Sequence, residues 1–446
     1  MTPRFRLFCL GLCLAGPLGC GKRSVEPMPA GSLVVTQVPI SATTTSSAGD
    51  FLDGRYPSGS RLVLAAPPLD PRSVRVLSEG LQAAGEPFVT PDNGRVLFSG
   101  KKDRAGTWQV YEATAGGGSP RALTAMEGGA MSPTLLADGS VVFVSPVPGM
   151  RGDGSKTPAA LWALGPADKA PRRLTFGSAP AVDPTVLLDG RILFASAQPN
   201  SSPPRTSLFT IYNDGTGVSP YACQHDGTGD VARPRELADG RVAFVSRPGR
   251  NPGSAGDLEV VSPARPWRTR ERLLADVPPA GGSGAATLHD PAWNEVEAVR
   301  VEPRKRPMGR ISTIDMSKKT GVVFCIDVNH TTYEPATPAV RIRVLTSAGG
   351  GAVRPLGEVP VHEDGSFMAE VPADVPLGFE ALDVEGKVVR RLPPSVWVRP
   401  GENRGCIGCH EPHGLAPRNR RPLAVKEAPV PMATTLAPGA AQGGAR

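Results

Sequence analysis

Aromatic side chains make up only 5% of the sequence and charged ones 20%, against 52 glycines and 49 prolines in 446 residues. A chain this poor in large flat side chains and this rich in turn formers is not built from a few long helices. A 3.6-residue apolar period cannot be followed for three turns anywhere, whereas short alternating runs bounded by Asp-Gly, Pro and Asn recur throughout. The sequence therefore points to an all-β protein. Catalytic signatures are missing too: there is no nucleophile elbow, no His-Glu-x-x-His pair and no evident acid pair. The net charge of +7 is divided among separate basic runs, "RPWRTRER" (Arg265 to Arg272), "EPRKRPMGR" (Glu302 to Arg310) and "PRNRRP" (Pro417 to Pro422), with no aromatic face beside them. Nucleic acid is not an expected partner.

No apolar run is long enough to span a bilayer comfortably; "LFCLGLCLAGPL" (Leu7 to Leu18), behind Arg4 and Arg6, reads instead as a cleaved export signal over residues 1–20. It ends in "PLGC", which resembles a bacterial lipobox in which Cys20 is lipidated and becomes the new N-terminus, although Pro17 stands where leucine is usual. Several acyl chains on one cysteine would anchor the protein to a membrane, outside the cytoplasm in the periplasm or at the outer membrane. An ordinary secretory peptide that leaves a spare cysteine is the alternative. Cys9 and Cys13 leave with the signal, so four of the seven cysteines remain for the mature domains: Cys223, Cys325, Cys406 and Cys409. Cys223 and Cys325 are either a disulfide or two separate buried thiols.

Residues 21–50, rich in Pro, Ser, Thr and Ala, read as a flexible tether. A repeat follows in "PDNGRVLFSG", "LADGSVVFVS", "LLDGRILFAS" and "LADGRVAFVS", whose turn glycines Gly94, Gly139, Gly190 and Gly240 are 45, 51 and 50 residues apart; Gly59 marks a weaker earlier copy. Each copy continues into a second strand such as "WQVYEAT" or "LFTIYND". A period of about 40 to 50 residues with four strands describes a propeller blade, and these copies resemble blades of the periplasmic TolB-like propellers. Five copies are legible, and "HDPAWNEVEAVRV" (His289 to Val301) would complete a sixth with N-terminal strands closing the ring. The expectation is a propeller over 51–301, with six blades, or seven as the alternative.

Residues 302–320 read as a linker. From Gly321 the blade period stops, and single strands with Asp-Gly and Glu-Gly turns suggest a small antiparallel sandwich-like domain over 321–414. The tail, 415–446, is polar and Pro/Ala-rich and reads as disordered.

At the end of the small domain stands "GCIGCHEPHG" (Gly405 to Gly414). Cys-x-x-Cys-His is the attachment signal of c-type haem. Two thiols three apart on one tight turn can each add to a vinyl group, and the next histidine ligates the iron. By chance, a chain of this composition would carry the pattern on the order of 0.001 to 0.002 times. Cys406, Cys409 and His410 are thus the candidate sites for covalent haem c, with His410 as axial ligand. A zinc set of Cys406, Cys409, His410 and His413 and a thiol–disulfide pair are the alternatives. The second iron ligand is open, with His330 and Met368 as candidates from the same domain. A sixth ligand makes an electron carrier, and an open position makes a catalyst or gas binder.

Propeller, linker, small β domain and terminal motif together resemble proteins related to the hydrazine synthase alpha subunit. The run from Val361 to Ala424, with its "DGSF", "VPAD", "ALD", "PGE" and "GCIGCHE" succession, looks like that family's C-terminal region, and the blades from Gly59 to Val245 are similar to its middle propeller domain. The resemblance implies haem attachment at Cys406 and Cys409 with His410 as axial ligand. It does not imply the family's reaction. Those subunits are larger, carry two haem motifs and work in a multisubunit complex. In their catalytic haem site a tyrosine four residues after the motif histidine ligates the iron, where this chain has Gly414. The expected function is that of a lipid-anchored, extracytoplasmic monohaem c-type cytochrome that exchanges electrons with a redox partner protein, the propeller serving as docking platform. A haem-dependent oxidoreductase acting on a small, for example nitrogenous, substrate and a propeller interaction module with a structural haem are the alternatives.

Overall fold

A computed structural model describes residues 26–40, 56–148, 159–197, 205–222, 230–247, 256–263, 270–277, 288, 291–332, 337–349, 352–409 and 421–433. Five four-stranded antiparallel sheets, the blades, occupy residues 33–300, and two further four-stranded sheets form the small domain. No α-helix occurs among the described residues.

Each blade is seeded by the turn that the repeat advertises. Between the first two strands of the third, fourth and fifth blades, the carboxylates of Asp138, Asp189 and Asp239 accept the backbone N–H two residues on, at 2.8, 2.9 and 3.0 Å. Gly139, Gly190 and Gly240 follow in left-handed backbone that other residues adopt only under strain. In the second blade Asn93 takes the left-handed position in place of Gly94. The apolar faces of the strands then pack blade against blade. Leu97, Val110, Phe143 and Trp162 fill the space between the second and third blades, and Leu193, Leu208, Val242 and Phe244 that between the fourth and fifth.

The ring has five blades among the described residues, not six. The strand Trp293–Arg300 pairs with an N-terminal strand, Leu33–Pro39, and closes the ring as expected, but Leu33–Pro39 also pairs with Arg61–Ala65, the strand of the Gly59 copy. The Gly59 copy and the segment expected to complete a sixth blade are therefore two parts of the first blade, and this sheet joins the two ends of the propeller. Residues 33–39 are accordingly no tether. Val34, Val35 and Val38 are buried, and the strand is hydrogen-bonded along both edges.

The innermost strands share a device that the repeat glycines did not reveal. Their pairing register breaks between Gly85 and Phe88, Met131 and Thr134, Val182 and Thr185, and Ala232 and Arg235. Within each break a non-glycine residue has positive φ: Glu86, Ser132, Asp183 and Arg233, each followed by proline. These bulges tie neighbouring blades together. The Glu86 carboxylate accepts from the Ser132 N–H at 2.8 Å, and that of Asp183 from the Arg233 N–H at 2.9 Å. Glu297 closes the belt on the first blade. It accepts from the Glu86 N–H at 3.0 Å, the Tyr56 hydroxyl at 2.8 Å and the Thr36 hydroxyl at 3.3 Å, and pairs with Arg233 of the fifth blade at 3.4 Å.

From Glu302 the chain runs in extended form over the propeller. The Arg304 N–H bonds to Pro91 O, the Met308 N–H to Leu188 O, and the Asp214 carboxylate accepts from Ser312 and Thr313. The small domain packs two sheets around Val323, Val344, Ala369, Val371 and Leu377. The first contains Ala352–Pro360, Arg341–Gly349, Leu377–Leu382 and Val388–Val396 and is antiparallel. The second contains Asn403–Cys406, Thr320–Cys325, Phe367–Pro372 and Val430–Pro431 and is mixed, its two outer strands running parallel to their neighbours.

Part of the expected disordered tail thus belongs to the fold. Residues 421–433 strap across the second sheet, with Ala424 and Met432 buried, and the Leu423 and Ala424 N–H groups donate to Asp364 and Ser366. Short apolar residues among prolines hid this strap from composition.

Glu297→Ala removes the acceptor for three donors and the partner of Arg233. It is expected to lower stability by about 3 kcal/mol, read as a lower urea midpoint; an unchanged midpoint would show that the belt contributes nothing to closure.

Candidate cofactor site

The motif strand Asn403–Cys406 lies at one edge of the second sheet. The Thr320–Cys325 strand is held antiparallel to Phe367–Pro372 on one side and parallel to Asn403–Cys406 on the other, in a register that sets Cys325 beside Cys406 and Phe324 beside Gly405. Alternation turns Val323 and Cys325 into the core, both nearly fully buried. Phe324 lies over Gly405, where a Cβ would come within 2.8 Å of its ring. Burial, then the neighbouring Cys406, pushes the Cys325 thiol well above its ordinary range, so it stays a neutral packing group. Cys406 and Cys409 are half-buried and pack on the same core.

Beyond Cys406 the motif is clamped to the loop that follows Cys325. The Ile326 N–H donates to Cys406 O at 2.9 Å, the Asp327 N–H to Ile407 O at 3.2 Å, and the Cys409 N–H to His330 O at 3.2 Å. Gly408 sits so close that a Cβ would lie 2.2 Å from His330 O. The receiving loop is braced in turn. The Asp327 side chain accepts the Asn329 N–H at 2.9 Å, the Val328 N–H reaches Gly365 O at 2.8 Å, and the Asn329 side-chain oxygen accepts from Ala339 N–H and the buried Arg390 at 2.8 and 2.9 Å. A motif held by backbone to a braced loop is a rigid mount for two thiols.

The sequence candidates separate cleanly. His330 belongs to the clamp itself, and its Nε2 is buried with no hydrogen-bond partner among the described residues. Leaving such an atom unsatisfied costs about 1 to 3 kcal/mol. Met368 lies opposite Phe324, one position away from Phe367, which faces Cys325. It therefore points from the other face of the sheet, where with His362, Ala424 and Glu427 it lines a cavity of about 30 Å³. His410, His413, Gly414, Cys223 and Cys20 lie outside the described residues. The alternative zinc set depends on His410 and His413 and shares that position. Among the described residues no three His, Cys, Asp or Glu side chains converge on one metal-sized point. Two thiols on a fixed turn beside a buried, unsatisfied imidazole are a donor set that fits a covalent haem. Sequence reasoning found the donors but not their supports, Gly408, Asn329, Gly365 and Arg390, which act through contacts distant in the chain.

The segment leading into the motif strand also docks the small domain on the propeller. Trp397 is buried against Phe176, ring centroids 6.5 Å apart, and its indole N–H donates to Gly215 O at 2.9 Å. Arg173 and Arg399 both stack on Phe176, at 4.7 and 4.8 Å. Burial lowers Arg173 to about 10. Arg399 donates to Arg173 O at 2.8 Å and forms an ion pair with Asp374 at 2.9 Å that lacks hydrogen-bond alignment. The Gly217 N–H donates to Glu402 at 2.9 Å. Burial raises both Asp374 and Glu402 from the ordinary carboxylate range.

Residues 310–411 match the family described as the hydrazine synthase alpha subunit middle domain. The middle domain of that family thus falls on the small domain and its motif, which corrects its expected assignment to the blades. The structure is similar to hydrazine synthase from Kuenenia stuttgartiensis, with 19% identity, 89% of this chain and 71% of that chain covered, and a TM-score of 0.76. A putative TolB from Agrobacterium tumefaciens is similar at 16% identity, covering 56% of this chain and 92% of that one with a TM-score of 0.39. TolB from Acinetobacter baumannii is similar at 15% identity, with coverages of 55% and 53% and a TM-score of 0.40. No curated protein sequence matches the chain.

Gly408→Ala places a methyl group on His330 O. It should destabilise the small domain by about 1 to 3 kcal/mol, read as a lower thermal midpoint; a midpoint equal to that of the parent would mean the clamp is loose.

Proposed function

We propose that this chain, related to the hydrazine synthase alpha subunits through its small domain, is an extracytoplasmic, lipid-anchored c-type haem protein that carries electrons. The observation that carries this reading is the Cys-x-x-Cys-His motif on a backbone-clamped mount, with both thiols packed at the rim of the sandwich core. Cys406 and Cys409 would hold the haem by thioether bonds, and His410 would be its first axial ligand. When bound, the haem supplies a one-electron iron couple.

The residues of this chain do the rest. The parallel strand Asn403–Cys406 fixes the first thiol, and the braced 326–330 loop fixes the second. The packed sandwich keeps water from one side of the attachment turn, which favours a defined potential. Trp397, Arg399 and Glu402 lock the small domain to the propeller, so that a partner docked on the propeller would meet the motif at a constant distance. The strap over the propeller exposes Met308, Ile311 and Met316 among Lys305, Arg306 and Lys318, a surface suited to an acidic redox partner protein. Hydrazine synthesis is not part of the proposal, because Gly414 stands where the resemblance requires a ligating tyrosine.

Expression with the c-type maturation machinery should give one covalent haem per chain by pyridine haemochrome, with covalent haem lost in the Cys406→Ala/Cys409→Ala double variant. A parent protein that stays colourless, while a control cytochrome matures in the same cells, would sink the reading. Cys20→Ala should move the chain from the membrane fraction to the soluble extracytoplasmic fraction; unchanged membrane association would rule out anchoring through that cysteine.

A further inference from the structure

We infer that His330, through its Nε2, is the second axial ligand of the iron, which makes the site a six-coordinate bis-histidine centre. The inference rests on the haem reading above and deepens it.

The argument begins with an atom that the protein alone leaves unsatisfied. Nε2 of His330 is buried without a hydrogen-bond partner, although the rest of the residue is tightly used. Its carbonyl accepts the Cys409 N–H at 3.2 Å, its own N–H donates to Asp327 O at 3.0 Å, and its backbone faces Gly408. The backbone of His330 therefore belongs to the same rigid unit as the backbone of the two attachment cysteines. A buried ring nitrogen without a partner costs free energy that an iron–nitrogen bond would recover. Arg390, through Asn329, and Gly365, through Val328, hold the loop, so the backbone that carries the ring is set before any cofactor arrives.

The competing donors are in the wrong place. Met368 and His362 line a common cavity on the opposite face of the sheet, under the 421–433 strap. Cys325 faces the sandwich core as a neutral thiol. Met316 is exposed on the strap that crosses the propeller. Of the candidate second ligands raised by the sequence, only His330 touches the motif.

The test uses the full-length holoprotein. Ferric and ferrous absorption spectra and ferric EPR are recorded for the parent, His330→Ala, His330→Met and Met368→Leu, with haem content measured on the same samples. The parent should be low-spin with a bis-imidazole EPR signal and should not bind CO readily. His330→Ala should keep its covalent haem but become high-spin and CO-reactive, and added imidazole should restore the low-spin spectrum. His330→Met should show the charge-transfer band of a methionine-ligated ferric haem, and Met368→Leu should match the parent. A high-spin parent, or a His330→Ala protein with parental spectra, overturns the assignment while leaving the haem reading intact. A parent without haem defeats that reading itself. Should His330→Ala fail to fold, the EPR signal of the parent decides: a bis-imidazole signal supports the assignment, and any other ligation overturns it.

Discussion

Everything in this protein depends on one pairing between distant strands, Leu33–Pro39 against Trp293–Arg300. The chain between them builds the other four blades and has no other reason to return. Closing so long a loop carries an entropic cost that grows only slowly with length. What must be supplied locally is a sheet good enough to hold the end that returns. The buried valines at 34, 35 and 38 and hydrogen bonds on both edges of their strand provide it. Glu297 adds an electrostatic lock, because its carboxylate binds the neighbouring bulge on one side and an arginine of the last blade on the other. The bulges that feed this belt place ordinary residues in left-handed backbone, a local cost that is tolerated where it directs a carboxylate or an N–H toward the next blade.

Closure of the ring matters for the site because docking and mounting are done by one continuous segment. Trp397 enters the groove beside Phe176, Arg399 and Glu402 bond to the backbone of the third and fourth blades, and the next residues form the motif strand Asn403–Cys406. Few residues separate the anchor on the propeller from Cys406. A disturbance of the propeller face would reach the motif along a stiff path of packed and hydrogen-bonded residues. The ion pair of Arg399 and Asp374 within this contact is constrained more by packing than by its own geometry. Specific orientation, more than stability, is what such a buried pair can contribute.

How much of this could be read from the sequence depends on the range of the forces involved. The Asp-Gly turns are local chemistry, a carboxylate on an N–H two residues away, and they exposed the blades at once. Another local signal went unread: the residue–proline step six or seven positions before each turn glycine, at Pro87, Pro133, Pro184 and Pro234, marks the bulges. The strand at 33–39 and the strap at 421–433 were misread because composition averaged over a long window hides a short valine-rich or Ala/Met-bearing run. Their structure is imposed by partners far away in the chain. The closing of the ring by Trp293–Arg300 and an N-terminal strand was legible, but the blade count came out too high because nothing near Gly59 says that its strand shares that sheet. At the site, the thiol spacing was legible and its support was not. Gly408 is required by the carbonyl of His330, and Arg390 by Asn329, and neither relation has a sequence period.

The scaffold constrains function less than the atoms around the motif do. A shared fold at 19% identity says that the blades and sandwich can be arranged as in a hydrazine synthase, and folds of this kind host unrelated chemistries. What separates a carrier from a catalyst is whether the protein itself satisfies both faces of the iron. Under the proposed reading, a glycine at 414 offers no side-chain oxygen, and the backbone of His330 is held in the clamp against Gly408 and Cys409.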